Sequence, residues 1–113
     1  MDLINQYFKE YVIPEKKYVI ALSGGVDSAV LALLVSKQTN NVRSIFVNHN
    51  QVDSNNLEKA AEAVANSLNL QHVNISTNLE INASETKMRE ERYRVLFENI
   101  SENDTLLFGH HGD

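Results

Sequence analysis

Six consecutive residues, Ser23-Gly24-Gly25-Val26-Asp27-Ser28, carry the densest chemistry in the chain. Neighbouring glycines let a backbone take positive φ and bring its N–H groups against a ligand with no Cβ in the way. A helix starting here aims the positive end of its dipole at the same point. The hydroxyls of Ser23 and Ser28 can donate to phosphate oxygens, and Asp27 can hold a Mg2+ ion that neutralises them. The segment reads as a phosphate cradle. No lysine follows the glycines, so it is not a Walker loop, and it lacks the GxGxxG spacing of a nicotinamide site. The plain alternative is a turn whose Asp27 caps a helix.

Three further clusters could do chemistry. Glu85, Arg89, Arg92 and Tyr93 form E-x3-R-x2-R-Y. On a helix these positions share one face, so Glu85 can pair with Arg89 while Arg92 extends the row. A solvated, salt-bridged face has the same spacing. Asn48 and His49 end an apolar run; the histidine suits nucleotide binding or pocket shaping, and Asn48 and Asn50 are equally good turn formers. Gly109-His110-His111-Gly112-Asp113 closes the sequence. Adjacent histidines at a strand end point different ways, and no third metal ligand is close in sequence.

The elements that must position these clusters alternate between short apolar runs and helix-period stretches, the pattern of βαβ units. Leu3, Ile4, Tyr7, Phe8, Tyr11 and Val12 recur at helical spacing and predict an N-terminal helix ending before Pro14. Residues 18–22 predict a buried central strand, 28–35 an apolar helix and 45–47 a second strand. Leu57, Ala60, Ala61, Val64, Ala65 and Leu68 mark one face of a second helix, with Asp53, Ser54 and Asn55 as candidate caps. Residues 72–75 alternate as an edge strand does. A loop over 78–83 leads to a third helix over 84–99, which buries Met88, Val95, Leu96 and Ile100, and residues 105–108 form a fourth strand. The fold class is α/β, an open doubly wound parallel sheet. Ligands of such sheets bind outside the carboxyl ends of the strands. The glycine loop, the Asn48-His49 pair and the GHHGD cluster all follow strand ends, so all three fall on one edge.

Composition narrows the classes. The chain has 113 residues, 42% hydrophobic and 22% charged, which suits one small globular domain and excludes disorder as its main state. It has no cysteine, which rules out disulfides, a CxxC redox pair and a thiolate zinc site. The opening MDLINQYFKE carries acids and no long apolar stretch, so neither a signal peptide nor a membrane anchor is expected, and the reading is cytoplasmic. Ten Lys+Arg against fifteen Asp+Glu give a net charge of -5. A protein gripping nucleic acid through its phosphates would be basic.

The Ser23–Ser28 segment resembles the SGGxDS loop of the N-type ATP pyrophosphatases, or PP-loop enzymes, which adenylate a substrate and release pyrophosphate. Glu85, Arg89, Arg92 and Tyr93 resemble the ExxARxxRY helix of the tRNA(Ile)-lysidine synthetase family, with Met88 where that pattern has alanine. Asn48-His49 is similar to its V-[DN]-H. Residues 109–113 resemble its [GA]-H-H-x-D-D motif, cut before the second aspartate and the following ET. PP-loop relatives that thiolate cytidine in tRNA share the loop and GHH but carry a cysteine pair, which this chain lacks.

The resemblance implies a fold like that of the adenine nucleotide alpha hydrolases, which would continue with a fifth strand. The chain is thus expected to be an N-terminal ATP-binding domain over 1–113, truncated after its fourth strand, with the RNA-holding regions elsewhere. It further implies ATP and Mg2+ as cofactors, and tRNA(Ile) and L-lysine as substrates. Ser23 to Ser28, Val26 included, with Asn48 and His49 would bind nucleotide; Asp27 and Asp113 would serve magnesium; Asp27, Arg89, Arg92 and His110 would be catalytic. In the implied reaction the C2 oxygen of the wobble cytidine attacks the ATP α-phosphate, pyrophosphate leaves, and lysine then displaces AMP. Two other readings stand beside it: a stand-alone ATP- or AMP-binding module, and another PP-loop tRNA-modifying enzyme.

Overall fold

The computed structural model describes residues 12–13 and 15–109. The expected N-terminal helix and the residues His110, His111, Gly112 and Asp113 lie outside that range, apart from Val12. Four strands and three helices alternate: β1 Lys17–Ala21, α1 Val26–Ser36, β2 Val42–Asn48, α2 Ser54–Ser67, β3 Gln71–Ser76, α3 Glu85–Glu98 and β4 Asp104–Phe108. The strands form one parallel sheet in the order β3-β2-β1-β4. This is the doubly wound α/β sheet expected from the sequence. Among the described residues no helix is long and apolar enough to cross a membrane.

Period-two alternation sorts the strand side chains into two layers. Tyr18, Ile20, Leu22 and Phe46 face α1 and α2, packing on Ala32, Val35, Ala61 and Ala65. The small helix residues let both helices lie close to the sheet. Val19, Ala21, Ile45 and Val47 face the other way and meet Val95 and Leu96 of α3. Val19, Ile20 and Ile45 are wholly buried, as central parallel strands covered on both faces require. β3 is the edge strand predicted by its alternation, and its Val73 is exposed.

Two local expectations are revised. β2 is longer than the predicted 45–47, because its polar first half is satisfied inside the sheet. The buried Ser44 hydroxyl lies 2.6 Å from Nδ1 of His72 on β3. The chain of bonds continues from His72 Nε2 to Asn74 Oδ1 at 2.7 Å, and Asn74 Nδ2 donates to Glu62 at 2.6 Å. At α2 none of the three candidate caps closes the helix. Asp53 holds the N-cap position without a side-chain bond, Ser54 Oγ accepts from the Gln51 N–H at 2.8 Å, and Asn55 Oδ1 accepts from Asn48. By contrast, α3 has a true cap: Ser84 Oγ accepts from the Lys87 N–H at 3.1 Å.

The order of strands positions the site. From β1 the chain crosses to β2 on one side, while β4 returns to pair with β1 on the other. That reversal opens a crevice at the carboxyl ends of β1 and β4, where doubly wound sheets take ligands.

Candidate functional site

The glycine loop leaves β1 into that crevice. Gly24 sits at φ +84, and a Cβ there would lie 2.7 Å from the Leu57 carbonyl oxygen of α2. Conformation and space both demand glycine. Gly25 is the N-cap of α1, extended at φ -97 and ψ 172, and no side chain caps the helix. The first-turn N–H groups of a helix have no partner within it, so this end offers donors to an anion. Gly109, just past β4, presses on the same turn: a Cβ there would lie 2.5 Å from Ser28 N and Cα. The cradle is therefore assembled from both arms of the crevice.

The two serines have different duties. Ser28 is 1% exposed; its Oγ accepts from the Ser23 N–H at 3.0 Å and donates to Gly25 O at 3.3 Å. Ser23 Oγ lies 3.1 Å from it and accepts from the Gly25 N–H at 3.2 Å. Ser28, expected to donate to phosphate, points its hydroxyl inward and braces the loop. Val26 and Asp27 are exposed, which leaves the Asp27 carboxylate facing solvent on the first turn of α1.

Beside the loop lies a cleft of about 520 Å³. Leu22, Phe46, Leu57 and Met88 supply its apolar lining, while Ser23, His49 and Arg92 are polar. His49 Nδ1 is buried there and meets no hydrogen-bond partner among the described residues. Burial holds the imidazole below its ordinary pKa of 6.5; the Arg92 charge adds to this, and Glu91 pulls weakly the other way. A neutral ring with an unused nitrogen suits a hydrogen bond to an uncharged ligand group. The Arg92 guanidinium lies 5.3 Å from the centroid of the Phe108 ring, which ties α3 to the end of β4.

Other expected site residues are not gathered here. Arg89 is exposed on α3 and does not line the cleft. Among the described residues it makes no ion pair with Glu85, which sits in the first turn of α3, where the helix dipole already favours a carboxylate. Within this helix Arg94 pairs with Glu91 at 2.7 Å and with Glu98 at 3.0 Å, and Lys87 reaches out to Glu80 of the preceding loop at 3.1 Å. Asn48, expected to contact nucleotide, is buried and fully engaged in the turn after β2. Its Nδ2 donates to Asn55 and Glu58, both at 3.2 Å, and its Oδ1 accepts from the Asn50 N–H at 2.8 Å. Asn48 thus supports the site from beneath.

Gln51 also belongs to the wall of the cleft. Its side chain bonds to His49, Glu80 and Asn82. A glutamine between two turn signals carries no mark of this, because two of its three partners come from a loop brought close only by β2–β3 pairing.

The donor set also bears on a metal. Among the described residues no group of three or more His, Asp or Glu could cage an ion. A single exposed carboxylate, Asp27, beside an uncapped helix end fits Mg2+ instead, which keeps its waters and is held through one or two carboxylates plus substrate phosphates.

At the opposite, amino edge of the sheet a larger hollow of about 850 Å³ opens among Lys17, Arg43, Gln71, Asn99 and Asp104. Arg43 Nη2 lies 3.3 Å from Asp104 Oδ2 and donates to Asn99 O at 2.9 Å. Asp104 Oδ2 also accepts from the Ser101 N–H at 2.8 Å.

Comparison with known proteins agrees with this geometry. The profile of a family described as PP-loop domain matches residues 2–113. The tRNA(Ile)-lysidine synthase of Actinobacillus pleuropneumoniae serotype 3 (strain JL03) is 30% identical over 118 residues, spanning 100% of this chain and 27% of that protein. The glutamine-hydrolyzing GMP synthase of Petrotoga mobilis is 45% identical over 62 residues, 52% of this chain and 12% of that protein. The chain spans about a quarter of the length of the lysidine synthases it matches. Among solved structures, the NH3-dependent NAD synthetase of Campylobacter jejuni superposes with a TM-score of 0.71 at 19% identity. That match covers 96% of this chain and 54% of the synthetase, a likeness of fold.

Proposed function

The chain belongs to the PP-loop domain family, and from that premise we propose that it binds ATP with Mg2+ and serves as the adenylating domain of a tRNA(Ile)-lysidine synthase. The observation that carries this reading is the junction of cradle and cleft. A left-handed Gly24, an uncapped α1 and the close approach of Gly109 adjoin a cleft that holds a neutral histidine and an arginine.

In this reading the loop N–H groups and the α1 terminus hold the β- and γ-phosphates, and Asp27 would hold a magnesium ion. The ion supplies charge neutralisation for the departing pyrophosphate. The adenosine half occupies the apolar cleft beside His49. Arg92, rather than the solvent-facing Arg89, neutralises charge developing on the α-phosphate, a task for a fixed guanidinium fork. The C2 oxygen of the wobble cytidine bonds to α-phosphorus as the bond to pyrophosphate breaks. Lysine then bonds to C2 as AMP leaves with that oxygen. His110 is assigned to the catalytic edge and Asp113 to magnesium or substrate, both on motif alone. With a net charge of -5, the grip on tRNA is assigned to regions beyond residues 1–113 of a longer, cytoplasmic enzyme.

Calorimetry of Mg2+–ATP with this chain and its Asp27→Ala variant tests the reading. The expected result is a loss of affinity of about tenfold or more, the measure of one charge-assisted contact. Equal affinity in the variant, or a folded wild-type chain that does not bind, would overturn it. The lysidine assignment rests on tRNA(Ile)- and lysine-dependent pyrophosphate release by the longer enzyme; release indifferent to both would leave a nucleotide-binding module instead.

A further inference from the structure

Two loops wall the cleft opposite the glycine loop: residues 49–53 after β2 and residues 77–84 after β3. They share a root, where the Thr77 N–H donates to Asn48 O at 2.8 Å. Beyond that root the sheet no longer joins them, and polar side chains do. Asn50 Nδ2 donates to Leu79 O at 3.3 Å. Gln51 makes three bonds: Nε2 donates to His49 O and to Glu80 O, both at 2.9 Å, and Oε1 accepts from the Asn82 N–H at 2.8 Å. Asn50 and Asn82 both sit in the left-handed region, at φ 60 and 65, so each loop makes a sharp turn beside this stitch. His49, Gln51, Asn82 and Ala83 all line the cleft.

We propose that Gln51 is a positioning residue for the nucleotide: its carboxamide fixes the separation of these loops, and so the seating of the adenosine half. The inference rests on assigning the cleft to ATP. A carboxamide offers two donors and an acceptor in one plane, and this fold uses both donors against carbonyls and the acceptor against an N–H. One of those carbonyls belongs to His49, whose side chain lines the cleft and whose buried Nδ1 has no partner among the described residues. Gln51 therefore pins the peptide that carries the ring and, through Glu80 and Asn82, the segment leading to Ala83. Glutamate has the same shape but sets an oxygen against two carbonyl oxygens. Alanine removes the stitch and adds no repulsion.

Calorimetry with two probes separates a positioning role from a structural one. Mg2+–pyrophosphate engages only the glycine loop, whereas Mg2+–ATP needs the cleft as well. For Gln51→Glu, ATP affinity is expected to fall about tenfold or more, equivalent to the loss of one to two net hydrogen bonds, with pyrophosphate affinity unchanged. Gln51→Ala should fall between wild type and Gln51→Glu. In Gln51→Ala the Asn82 amide should also exchange with solvent faster at unchanged melting temperature, a readout independent of ligand. Unchanged ATP affinity in a folded variant overturns the inference, as does parallel weakening of both probes. If Gln51→Glu does not fold, the same criteria apply to Gln51→Ala. A folded wild-type chain that takes neither probe refutes the ATP assignment and this inference with it. Pyrophosphate binding with ATP affinity indifferent to Gln51 refutes this inference alone.

Discussion

The two edges of the sheet face opposite ways chemically, although each opens into a hollow. At the amino edge the hollow is the larger, about 850 Å³ against about 520 Å³, yet the buried carboxylate at its floor is satisfied by its neighbours. Asp104, whose side chain is 7% exposed, takes Arg43 and the Ser101 N–H, and Arg43 also reaches the Asn99 carbonyl. At the carboxyl edge the capacity is left open. A helix starts without a cap, a carboxylate faces water, and a buried imidazole nitrogen has no partner among the described residues. Size alone would have chosen the hollow with the fewer open groups. Unmet hydrogen-bonding capacity, which costs stability unless a ligand uses it, distinguishes a site from a gap between turns.

Mutations should divide along the same line. The largest effect is expected for Gly24→Ala, which forces a Cβ into left-handed backbone and against the Leu57 carbonyl oxygen. It should cost about 1–3 kcal/mol in denaturant unfolding and remove ATP binding together with pyrophosphate binding. Retained binding of either probe would show that the loop is not the cradle. Arg43→Met comes next. It strips a nearly buried carboxylate of one partner and should lower stability by about 1–3 kcal/mol while leaving ATP affinity alone. A drop in affinity there would join two edges that the structure keeps apart.

The smallest effects are in pH. The Ser101 N–H first, and Arg43 with it, holds Asp104 below its ordinary value of 3.8. Its folded pKa is the lower one, so the stability it contributes is complete above about 3.8 and is lost as pH falls through the folded value. His49 is held below 6.5 by burial and Arg92. Its unfolded form takes up a proton first, so stability declines as pH drops below 6.5 toward the folded value. Unfolding followed from pH 7 to pH 3 should therefore show a shallow early loss that is reduced in His49→Gln and a later one, to which Glu80 and Glu91 also contribute, that is reduced in Asp104→Asn. A His49 ring titrating at or above 6.5 by NMR would contradict the environment described for the cleft.

Much of this was legible in the residues. Alternation and apolar runs located all four strands, and Ser84, Val95 and Leu96 marked α3 correctly. The glycine loop announced itself, because glycines, hydroxyls and a carboxylate at a strand–helix junction have few other uses. What the sequence withheld depends on contacts between distant segments. Arg43 and Ser44 carry no apolar strand signal, and their place in β2 shows only once Ser44 is seen to pair with His72 across the sheet. Arg89 and Arg92 share a helix face, and only the place where α3 crosses the sheet decides which one lines the cleft. Asn48 and His49 are neighbours with opposite fates, one engaged in a turn and one left with an open nitrogen. Gln51 bears no local signal at all.

The central place of β1 has a consequence for the order in which the chain folds. Its partner β2 follows after one helix, whereas its partner β4 pairs Asp104 with Lys17 across nearly the whole described chain. Contacts of such long separation close late, since loop-closure entropy opposes them until the intervening segments are in place. Gly109 can meet the first turn of α1 only after that closure. The onset of pyrophosphate binding during refolding should thus serve as a clock for the last step, lagging behind helix formation in the same experiment.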